Sequence, residues 1–444
     1  MLLPWRNPRQ LLFACAALDL LSICLGVALI NLHHEPDLLH PPLLLLAVGA
    51  TYSLFGWLLG SYTVLRWPWL RLRLVLQRLS LTALASLMSV ILLSWALGVD
   101  ASRYSLLDRG VLVELLVWQS ALALAVRLSL RWLSRRQPRA VWQLMAAPEH
   151  QRDVVREWQR NPFVRPPRLL SPTRLTADHG LRTRSMALAL APGLHLDEQQ
   201  RSQIGQLQSR GVLVTTLEEL AQRQLERLPP TLLPENWLTF ADLRWSNEFS
   251  FQRKLKRTAD LAVSLPLLLL STPLLLLAGA AIWFEDRGPV FYVQQRSGWM
   301  GHPFRLLKLR TMRAAPADAP TPWTQSGDRR VTRVGALLRR SRLDELPQLI
   351  NVLRGEMSLI GPRPEQPPLD EQLSERIPHY RKRYWMPPGL SGWAQVCGPA
   401  YPSSLEEAEL KLSYDLFYLR NWSVGLDLLI LAKTIKTLLK VRGR

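Results

Sequence analysis

Long apolar runs separated by arginine-rich connections occupy the first third of the chain. Four runs, over residues 10–32, 42–65, 79–97 and 111–133, are each about as long as a helix that spans a bilayer. Apolar runs of this length with few charges predict transmembrane helices. We therefore predict that residues 1–138 form a membrane α-helical bundle of four helices.

The charges around these runs predict their orientation. Arginines precede the first run, lie between the second and third, and follow the fourth: Arg6, Arg9, Arg66, Arg71, Arg73, Arg78, Arg131, Arg135, Arg136 and Arg139. The other two connections carry little positive excess, so the positive-inside rule places both ends of the bundle in the cytoplasm. Asp19 and Glu114 lie inside the runs, where an acidic residue can be functional. Because no proton-relay pattern accompanies them, we interpret both as paired with another helix or close to an interface.

From residue 139 to 228 the pattern changes to short apolar runs separated by polar helical stretches. The runs AVWQLMA, SMALALA and GVLVTTL predict parallel strands of a small α/β middle domain. The first of them leads into AAPEH, where a dinucleotide site would need the glycines of G-x-G-x-x-G. We therefore predict that this domain binds no nucleotide. Residues 229–253 are predicted to be a linker or packing strap.

A fifth apolar run, over residues 258–284, differs from the first four. Basic residues stand on both sides of it: Lys254, Lys256, Arg257, Arg296, Arg305, Lys308, Arg310 and Arg313. One interpretation is an ordinary fifth transmembrane helix. However, basic flanks on both sides give no charge bias for a crossing, and Pro273 removes a helical hydrogen bond in the middle of the run. These features predict a helix that breaks at Thr272 and Pro273.

Composition narrows the possible partners. The chain of 444 residues has 55 Lys+Arg against 35 Asp+Glu, a formal net charge of +20. Such a charge suits anionic lipid surfaces, phosphates or nucleic acid, and does not choose among them. Cys15, Cys24 and Cys397 show no paired spacing, so neither a disulfide framework nor a zinc site is predicted. No small-residue cleavage pattern follows the first apolar run, so we expect that run to be retained.

The segment over residues 339–365, RRSRLDELPQLINVLRGEMSLIGPRPE, concentrates charges of both signs. Asp344 and Glu345 follow three arginines, and the leucines around them recur at helical spacing. We predict a short amphipathic helix with the acids in its first turn, Pro347 near its start and a glycine at its end. Such a pair can also belong to a surface helix with ion pairs. Arg363 stands between two prolines that hold its backbone extended, an arrangement suited to gripping a phosphate.

Residues 286–313, DRGPVFYVQQRSGWMGHPFRLLKLRTMR, combine alternating apolar residues with glycine-rich turns. This pattern predicts a β-hairpin that carries arginines and Lys308 on one face. The stretch is basic and aromatic, but it lacks a recognisable nucleic-acid-binding motif. We therefore expect no nucleic-acid partner.

Several motifs in the second half of the chain resemble one family. LDELPQLINVLRGEMSLIGPRP closely resembles the signature of the bacterial sugar transferases, the monotopic polyprenyl-phosphate phosphoglycosyl transferases. The hairpin resembles the family's DxGPVFYxQxRxGxxGxPFxxxKxRTM, and the fifth run resembles its KRxxD…SP with Thr272 in place of serine. MPPGLSGWAQVCGPAY resembles RPGITGWAQVNG, with Pro387 in place of a basic residue and Cys397 in place of asparagine. The resemblance is close from Lys254 onward, and before that it extends only to the layout of long-form members.

The resemblance implies a fold and an activity for residues 254–444. It implies an α+β monotopic catalytic domain in which residues 258–284 form a re-entrant membrane helix. The implied reaction transfers a sugar 1-phosphate from a UDP-sugar to polyprenyl (undecaprenyl) phosphate and initiates exopolysaccharide, capsule or O-antigen synthesis. Asp344 would be the nucleophile that takes the phosphosugar. Glu345 would either help to bind Mg²⁺ or shape the nucleophile.

The same resemblance, with the chemistry of the reaction, gives the remaining site residues. Those expected to contact phosphates or substrate are Arg339, Arg363, Lys308, Arg310, Thr311 and Gln348. Mg²⁺ is expected on Asp344 and Glu345. The middle domain would be Rossmann-like. The protein is expected to be a homodimer in the bacterial inner membrane, with the lipid bilayer as a partner and the active site facing the cytoplasm.

Two rival functions remain at this stage. A catalytically silent membrane scaffold would keep the fold, but it has no need of Asp344, Glu345 and Arg363 together. A membrane-anchored nucleic-acid binder rests on net charge alone. The sequence favours an enzyme and does not reveal which sugar it transfers.

Overall fold

The structure, a computed structural model, describes residues 8–31, 42–62, 72–96, 109–136, 141–161, 164–170, 186–238, 251–313, 330–399, 402 and 404–439. It divides into two compact units, Met1–Arg139 and Ala140–Arg444. Most of the connections that predict the orientation of the membrane helices lie outside the described residues, as do residues 239–250 of the predicted linker.

Within the described part of the first unit, the chain forms the four predicted helices: α1 (Pro8–Asn31), α2 (Pro42–Leu58), α3 (Leu72–Ala96) and α4 (Arg109–Arg136). α3 and α4 contain apolar segments long enough to cross a membrane, Leu72–Trp95 and Gly110–Leu130. α1 and α2 contribute the shorter apolar segments Ala14–Ala28 and Leu46–Leu58. α3 begins earlier than predicted because arginine, which follows Leu72 in the sequence, is a good helix former.

A buried ion pair joins two helices of this bundle. The guanidinium of Arg127 on α4 lies 2.8 Å from the carboxylate of Asp19 on α1, and the side chains are 0% and 1% exposed. Arg127 Nε also donates to the carbonyl of Ser61 at 3.3 Å. The structural interpretation of Asp19 is therefore correct, since its charge is paired inside the bundle. Glu114 lies on the exposed surface of α4.

The second unit begins with the predicted parallel sheet, in the order β2-β1-β3-β4. Its elements are β1 (Val141–Met145), α5 (Pro148–Gln159), β2 (Arg168–Leu170), β3 (Met186–Leu190), α6 (Glu198–Ser209), β4 (Leu213–Thr216) and α7 (Leu217–Leu225). Three strands were predicted, whereas β2 was not, because three residues are too few to show an alternating pattern. α5 begins with Pro148 directly after β1, and its N-cap residue, Ala147, makes no side-chain hydrogen bond.

The sheet region packs against the rest of its unit. Leu228, Leu233 and Trp237 belong to the same buried cluster as Tyr418. The backbone N–H of Leu228 donates to the carbonyl of Ser413 at 2.8 Å. The described part of the predicted linker is therefore a packing strap.

The remaining elements of the second unit carry the predicted motifs. They are α8 (Phe251–Asp286), β5 (Phe291–Ser297), β6 (Pro303–Leu309), α9 (Arg333–Ser341), α10 (Gln348–Arg354), β7 (Ser358–Ile360), α11 (Pro367–Arg376), β8 (Gly389–Ser391), α12 (Trp393–Cys397), α13 (Leu405–Asn421) and α14 (Val424–Leu439). The β5–β6 hairpin is confirmed as antiparallel, with Tyr292 opposite Lys308 and Arg296 opposite Phe304. Because side chains alternate along a strand, Arg296 and Lys308 share a face and Arg305 lies on the other. The prediction of a single basic face is therefore wrong for Arg305.

α8 contains the fifth apolar run and continues through Pro266 and Pro273, so the helix is not interrupted at Thr272 and Pro273, where a break is predicted. It is long and apolar enough to cross a membrane. Its middle part is exposed, for example Leu269 at 65% and Leu270 at 81%. The hydroxyl of Thr272 donates to the carbonyl of Leu268 at 2.8 Å, a bond within the helix beside Pro273.

Candidate active site

The predicted acid pair lies in a tight turn between α9 and α10. Arg342 adopts a left-handed backbone conformation (φ 60°) that ends α9, and a 3₁₀ helix over Leu343–Glu345 follows. Asp344 and Glu345 therefore lie in a 3₁₀ turn, and the prediction that they occupy the first turn of an α-helix is wrong. α10 begins at Gln348, directly after Pro347 as predicted, and ends at a glycine, Gly355, in the left-handed region.

α9 brings Arg339 to the end of β6. The side chain of Thr332 caps α9 by accepting from the backbone N–H of Gly335 at 2.9 Å. A Cβ atom at Gly335 would collide with the carbonyl of Thr311, so glycine permits the close approach of α9 to β6. Arg339 Nε then donates to Thr311 Oγ1 at 2.8 Å. The structure thus places these two predicted site residues in contact.

Asn351 holds β6 against α10. Its side-chain Nδ2 donates to the carbonyl of Arg305 at 2.8 Å, and its Oδ1 accepts from the backbone N–H of Leu307 at 3.1 Å. This attachment places the next residue of the strand, Lys308, with its Nζ 3.6 Å from Glu345 Oε1. A buried asparagine on one element therefore positions a cation on another.

Glu345 is the anion around which the cations of the site gather. Arg363 Nη2 donates to Glu345 Oε1 at 2.6 Å, and Arg342 Nη1 lies 3.8 Å from the same oxygen. Burial acts to raise the pKa of Glu345, but Arg363 and then Lys308 outweigh it, so the pKa lies well below its usual range. Burial, together with Arg363, lowers the pKa of Lys308 to about 8. Glu345 is therefore a firmly ionised carboxylate in ion pairs.

Asp344 is in a different state, although it is the adjacent residue. It is buried, and its Oδ1 has no hydrogen-bond partner among the residues that the structure describes. Burial and the charge of Glu345 raise the pKa of Asp344 to about 6, against the opposing effects of Lys308 and Arg339. One acid thus holds the cations while the other keeps a free oxygen. A buried carboxylate of this kind can act as a nucleophile or bind a metal ion.

The other predicted site residues fall into two groups. Gln348 is buried at the start of α10, and its Nε2 has no partner within the described part of the chain. Arg310 instead forms an ion pair with Asp286 at the end of α8. Among the described residues, the structure therefore does not bring Arg310 into contact with the acid pair. Sequence reasoning missed the role of Arg342, whose signal was its place among the three arginines before the acids.

The residues present fit a shared magnesium site. No group of three or more His, Cys, Asp or Glu side chains that could hold a metal ion occurs among the described residues. Mg²⁺, however, is often held by one or two carboxylates together with substrate phosphates. Asp344, with its unpartnered oxygen, and the adjacent Glu345 provide two such carboxylates.

The raised pKa of Asp344 predicts a pH-dependent cost in stability. Because the pKa rises from 3.8 to about 6 on folding, ionisation disfavours the native state, and the cost grows from pH 3.8 to about 6 and is complete above that. Two pKa units correspond to roughly 3 kcal/mol. Asp344→Asn should therefore raise the thermal unfolding temperature in detergent at pH 8 and lose most of this advantage at pH 4. Equal unfolding temperatures of variant and wild type at both pH values would contradict a strained Asp344 carboxylate.

Comparison with known proteins relates this site to characterised relatives. A family model described as bacterial sugar transferase matches residues 251–441. UDP-N-acetylgalactosamine-undecaprenyl-phosphate N-acetylgalactosaminephosphotransferase of Aeromonas hydrophila is 42% identical over 185 residues, which are 42% of this chain and 44% of the relative. UDP-glucose:undecaprenyl-phosphate glucose-1-phosphate transferase of Caulobacter vibrioides is 45% identical over 185 residues, 41% of this chain and 69% of the relative. An exopolysaccharide production protein of Rhizobium leguminosarum bv. phaseoli is 37% identical over 186 residues, 41% of this chain and 93% of the relative.

These matches cover the part of the chain that contains the site. Every candidate site residue lies within residues 251–441. The matched region spans less than half of the Aeromonas relative but nearly all of the Rhizobium relative. This chain belongs to the bacterial sugar transferase family.

Proposed function

We propose that this chain is a membrane enzyme that transfers a sugar 1-phosphate from a UDP-sugar to undecaprenyl phosphate and so initiates synthesis of a surface polysaccharide. The observation that carries the proposal is the division of labour in the acid pair. Glu345 is bound to Arg363 and Lys308, whereas Asp344 is buried with a free oxygen. The names of the Caulobacter and Aeromonas relatives supply the donor and acceptor classes, and they differ in the sugar.

The first half of the reaction uses Asp344 as a covalent nucleophile. A carboxylate oxygen attacks the β-phosphorus of the UDP-sugar, the bond from that phosphorus to the bridging oxygen breaks, and UMP leaves with the electron pair. At pH 7 and above, a carboxylate with a pKa of about 6 is mostly ionised, and burial makes it more basic than a free aspartate. Arg339, Lys308 and Arg363 would offset the charge that develops on the phosphate oxygens.

The second half regenerates the enzyme. An oxygen of undecaprenyl phosphate attacks the same phosphorus, and the bond to Asp344 breaks. The products are undecaprenyl diphosphate sugar and the free Asp344 carboxylate. The acceptor reaches the site from the bilayer, so the reaction needs a site at the membrane surface.

Glu345 has two roles in this proposal. Its contact with Arg363 at 2.6 Å supports a role in orienting the cations, and its charge adds to the effect of burial in raising the pKa of Asp344. Mg²⁺, held by Asp344 and Glu345 together with diphosphate oxygens, would neutralise negative charge on the substrate. Glu345 would thus both compensate the cations of the site and help to hold Mg²⁺.

The contacts of α8 support a re-entrant placement in the membrane. Near its start, Arg257 Nη2 donates to the carbonyl of Leu353 at 2.6 Å, and near its end Ile282 lies in a buried cluster that Leu343 joins. A straight helix from Arg257 to Ile282 would rise ~37 Å, whereas the 3₁₀ and α-helical turns from Leu343 to Leu353 span only ~17 Å. Near its start α8 thus contacts α10, and near its end it shares a buried cluster with Leu343, an arrangement that supports a helix that bends at its prolines and leaves the bilayer where it entered.

The membrane placement and the supply of substrate agree. We place the protein in the bacterial inner membrane with Asp344 on the cytoplasmic side, where UDP-sugars are made. Only Ala146 and Ala147 separate β1 from Pro148, and the absence of glycine in this connection supports the proposal that the sheet region binds no nucleotide. The homodimer remains a prediction.

Asp344→Asn should abolish activity in the assay that tests the proposal. Full-length protein in nanodiscs is given a panel of UDP-sugars, undecaprenyl phosphate and Mg²⁺, and UMP release is measured. We expect wild-type release only with acceptor and Mg²⁺ both present, and a loss of at least about 1,000-fold in the variant, because the nucleophile is gone while its shape remains. Glu345→Gln should be strongly impaired, though less completely.

The matched control is Arg340→Gln, which removes an exposed arginine next to Arg339 on α9. It should keep activity within about twofold, since exposed positions away from the site tolerate change. Near-normal UMP release by Asp344→Asn would refute the covalent assignment. A wild-type protein that releases UMP from none of the UDP-sugars would refute the proposed function and favour a silent scaffold.

Replacement of Thr272 and Pro273 by Ala and Leu should straighten α8, favour a full crossing and abolish activity. The physical reason is that the missing N–H of proline is what opens the helix to bending. The matched control, Thr272→Ser, keeps both the hydroxyl and the proline and should retain activity. The three native cysteines are replaced, and a reporter cysteine at the exposed His302 is treated in intact cells with a membrane-impermeant reagent.

The reporter should remain unlabelled in the otherwise native protein and become labelled in the straightened variant. Labelling of the native form from outside the cell would mean that α8 crosses the membrane, and the re-entrant placement would then be wrong.

A further inference from the structure

The loop that presents Arg363 is held at each of its backbone carbonyls. The carbonyl of Pro362 accepts from the N–H of Gly389 at 2.8 Å, and that of Glu365 accepts from the N–H of Ser297 at 2.9 Å. The carbonyl of Pro364 accepts from the guanidinium of Arg296 at 3.3 Å. Since β5 and β8 supply these donors, the loop is tied to two separate strands.

The carbonyl of Arg363 itself is held by a buried arginine. Arg383 Nη2 donates to it at 2.9 Å, from the 3₁₀ helix over Tyr380–Trp385. The same side chain donates through Nη1 to the hydroxyl of Tyr380 at 2.8 Å and forms an ion pair with Asp415 at 2.9 Å. Arg383 and Asp415 are each 1% exposed. The guanidinium of Arg383 thus links α13, the 3₁₀ helix and the backbone of Arg363.

Stability alone is a poor reason for this arrangement. A buried ion pair costs so much desolvation that apolar residues of similar volume often serve stability as well or better. What the guanidinium provides is direction, because its planar N–H groups hold two acceptors, the carbonyl of Arg363 and the hydroxyl of Tyr380, in one geometry beside the carboxylate of Asp415. One of these acceptors is the backbone carbonyl of Arg363, and the side chain of Arg363 donates to Glu345 at 2.6 Å.

We propose that Arg383 is a positioning residue for Arg363: held by Asp415 and Tyr380, it fixes the backbone from which the Arg363 guanidinium reaches Glu345 and the phosphates of the donor. The inference rests on the proposed transferase function and assigns Arg383 no contact with substrate. Pro362 and Pro364 remove rotational freedom on either side of Arg363, and Arg383 fixes the remaining position.

The position of Arg363 matters because catalysis at phosphorus depends on placement. A shift of about 1 Å in a positioned group can lower activity by roughly 100-fold. Arg383→Lys keeps the charge but replaces the planar fork with a single ammonium group that cannot hold both acceptors in the geometry of the guanidinium. We expect it to lower kcat/KM for the UDP-sugar by roughly 10-fold to 100-fold.

The matched control is Arg381→Lys, an exposed position in the same 3₁₀ helix. It should behave as wild type. The decisive readout is a double-mutant cycle with Arg363→Lys, measured by UMP release from full-length protein. If Arg383 acts through Arg363, Arg383→Lys should add little to the defect of Arg363→Lys. Effects that multiply would show a general structural role and overturn the proposal.

A second readout does not depend on turnover. Hydrogen exchange at the amides of Gly389 and Ser297, which donate to the carbonyls of Pro362 and Glu365, should be faster in Arg383→Lys than in wild type and unchanged in Arg381→Lys. If the wild-type protein released no UMP, the proposed function would be refuted. The exchange measurement would still test whether Arg383 positions Arg363. Unchanged exchange in Arg383→Lys would overturn the positioning role.

A milder variant covers the case in which Arg383→Lys does not fold. Tyr380→Phe removes the hydroxyl that accepts from Arg383 and donates to Asp370 at 3.2 Å, and it keeps the buried ring. It should lower kcat/KM by a few-fold and should lose that effect when Arg363 is already lysine. A full effect of Tyr380→Phe in the Arg363→Lys background would contradict the assignment.

Discussion

The ion pairs of Glu345 with Arg363 and Lys308 are the interaction on which the site depends. Lys308, Arg342 and Arg363 lie around Glu345, and these three cations would repel one another if no anion lay among them. Glu345 compensates their charge, while the neighbouring Asp344 is buried with an oxygen that has no partner among the described residues, and burial, followed by the charge of Glu345, raises its pKa. In the proposed mechanism, Glu345 would hold the cations that bind phosphate and help to raise the pKa of the nucleophile, although it need not react itself.

The candidate site is attached to both ends of α8, the helix that is long and apolar enough to cross a membrane. The carboxylate of Glu285, near the end of α8, accepts from the N–H of Arg333 at 2.8 Å at the start of α9, and α9 carries Arg339. Near the start of α8, Lys256 lies 2.7 Å from the carboxylate of Asp427 on α14. A carboxylate at a helix N-terminus also favours that helix electrostatically. The elements that position the site residues are thus fixed to the segment that would meet the lipid acceptor.

Sequence reasoning reached three strands of the parallel sheet, the hairpin and the start of α10, because apolar runs, alternation and Pro347 are local signals, but it missed the three-residue strands β2, β7 and β8. It did not reach the 3₁₀ turn, since a left-handed Arg342 is a conformation that non-glycine residues seldom adopt and no pattern marks it. Arg310 carried the family's motif, but the motif does not name its partner, Asp286. Arg383 was missed for another reason: its target is a backbone carbonyl, which every residue possesses and which therefore leaves no trace in the sequence.

The central claim is that Asp344 carries the phosphosugar between the two half-reactions, and mass spectrometry of the trapped protein tests it most directly. Full-length protein is incubated with UDP-sugar and Mg²⁺ without undecaprenyl phosphate, quenched in acid and digested. The account predicts a sugar-phosphate adduct on the peptide that contains Asp344, formed with release of UMP and removed when undecaprenyl phosphate is added before the quench. UMP release that begins only with the acceptor and leaves this peptide unmodified, or an adduct on another residue, would contradict it.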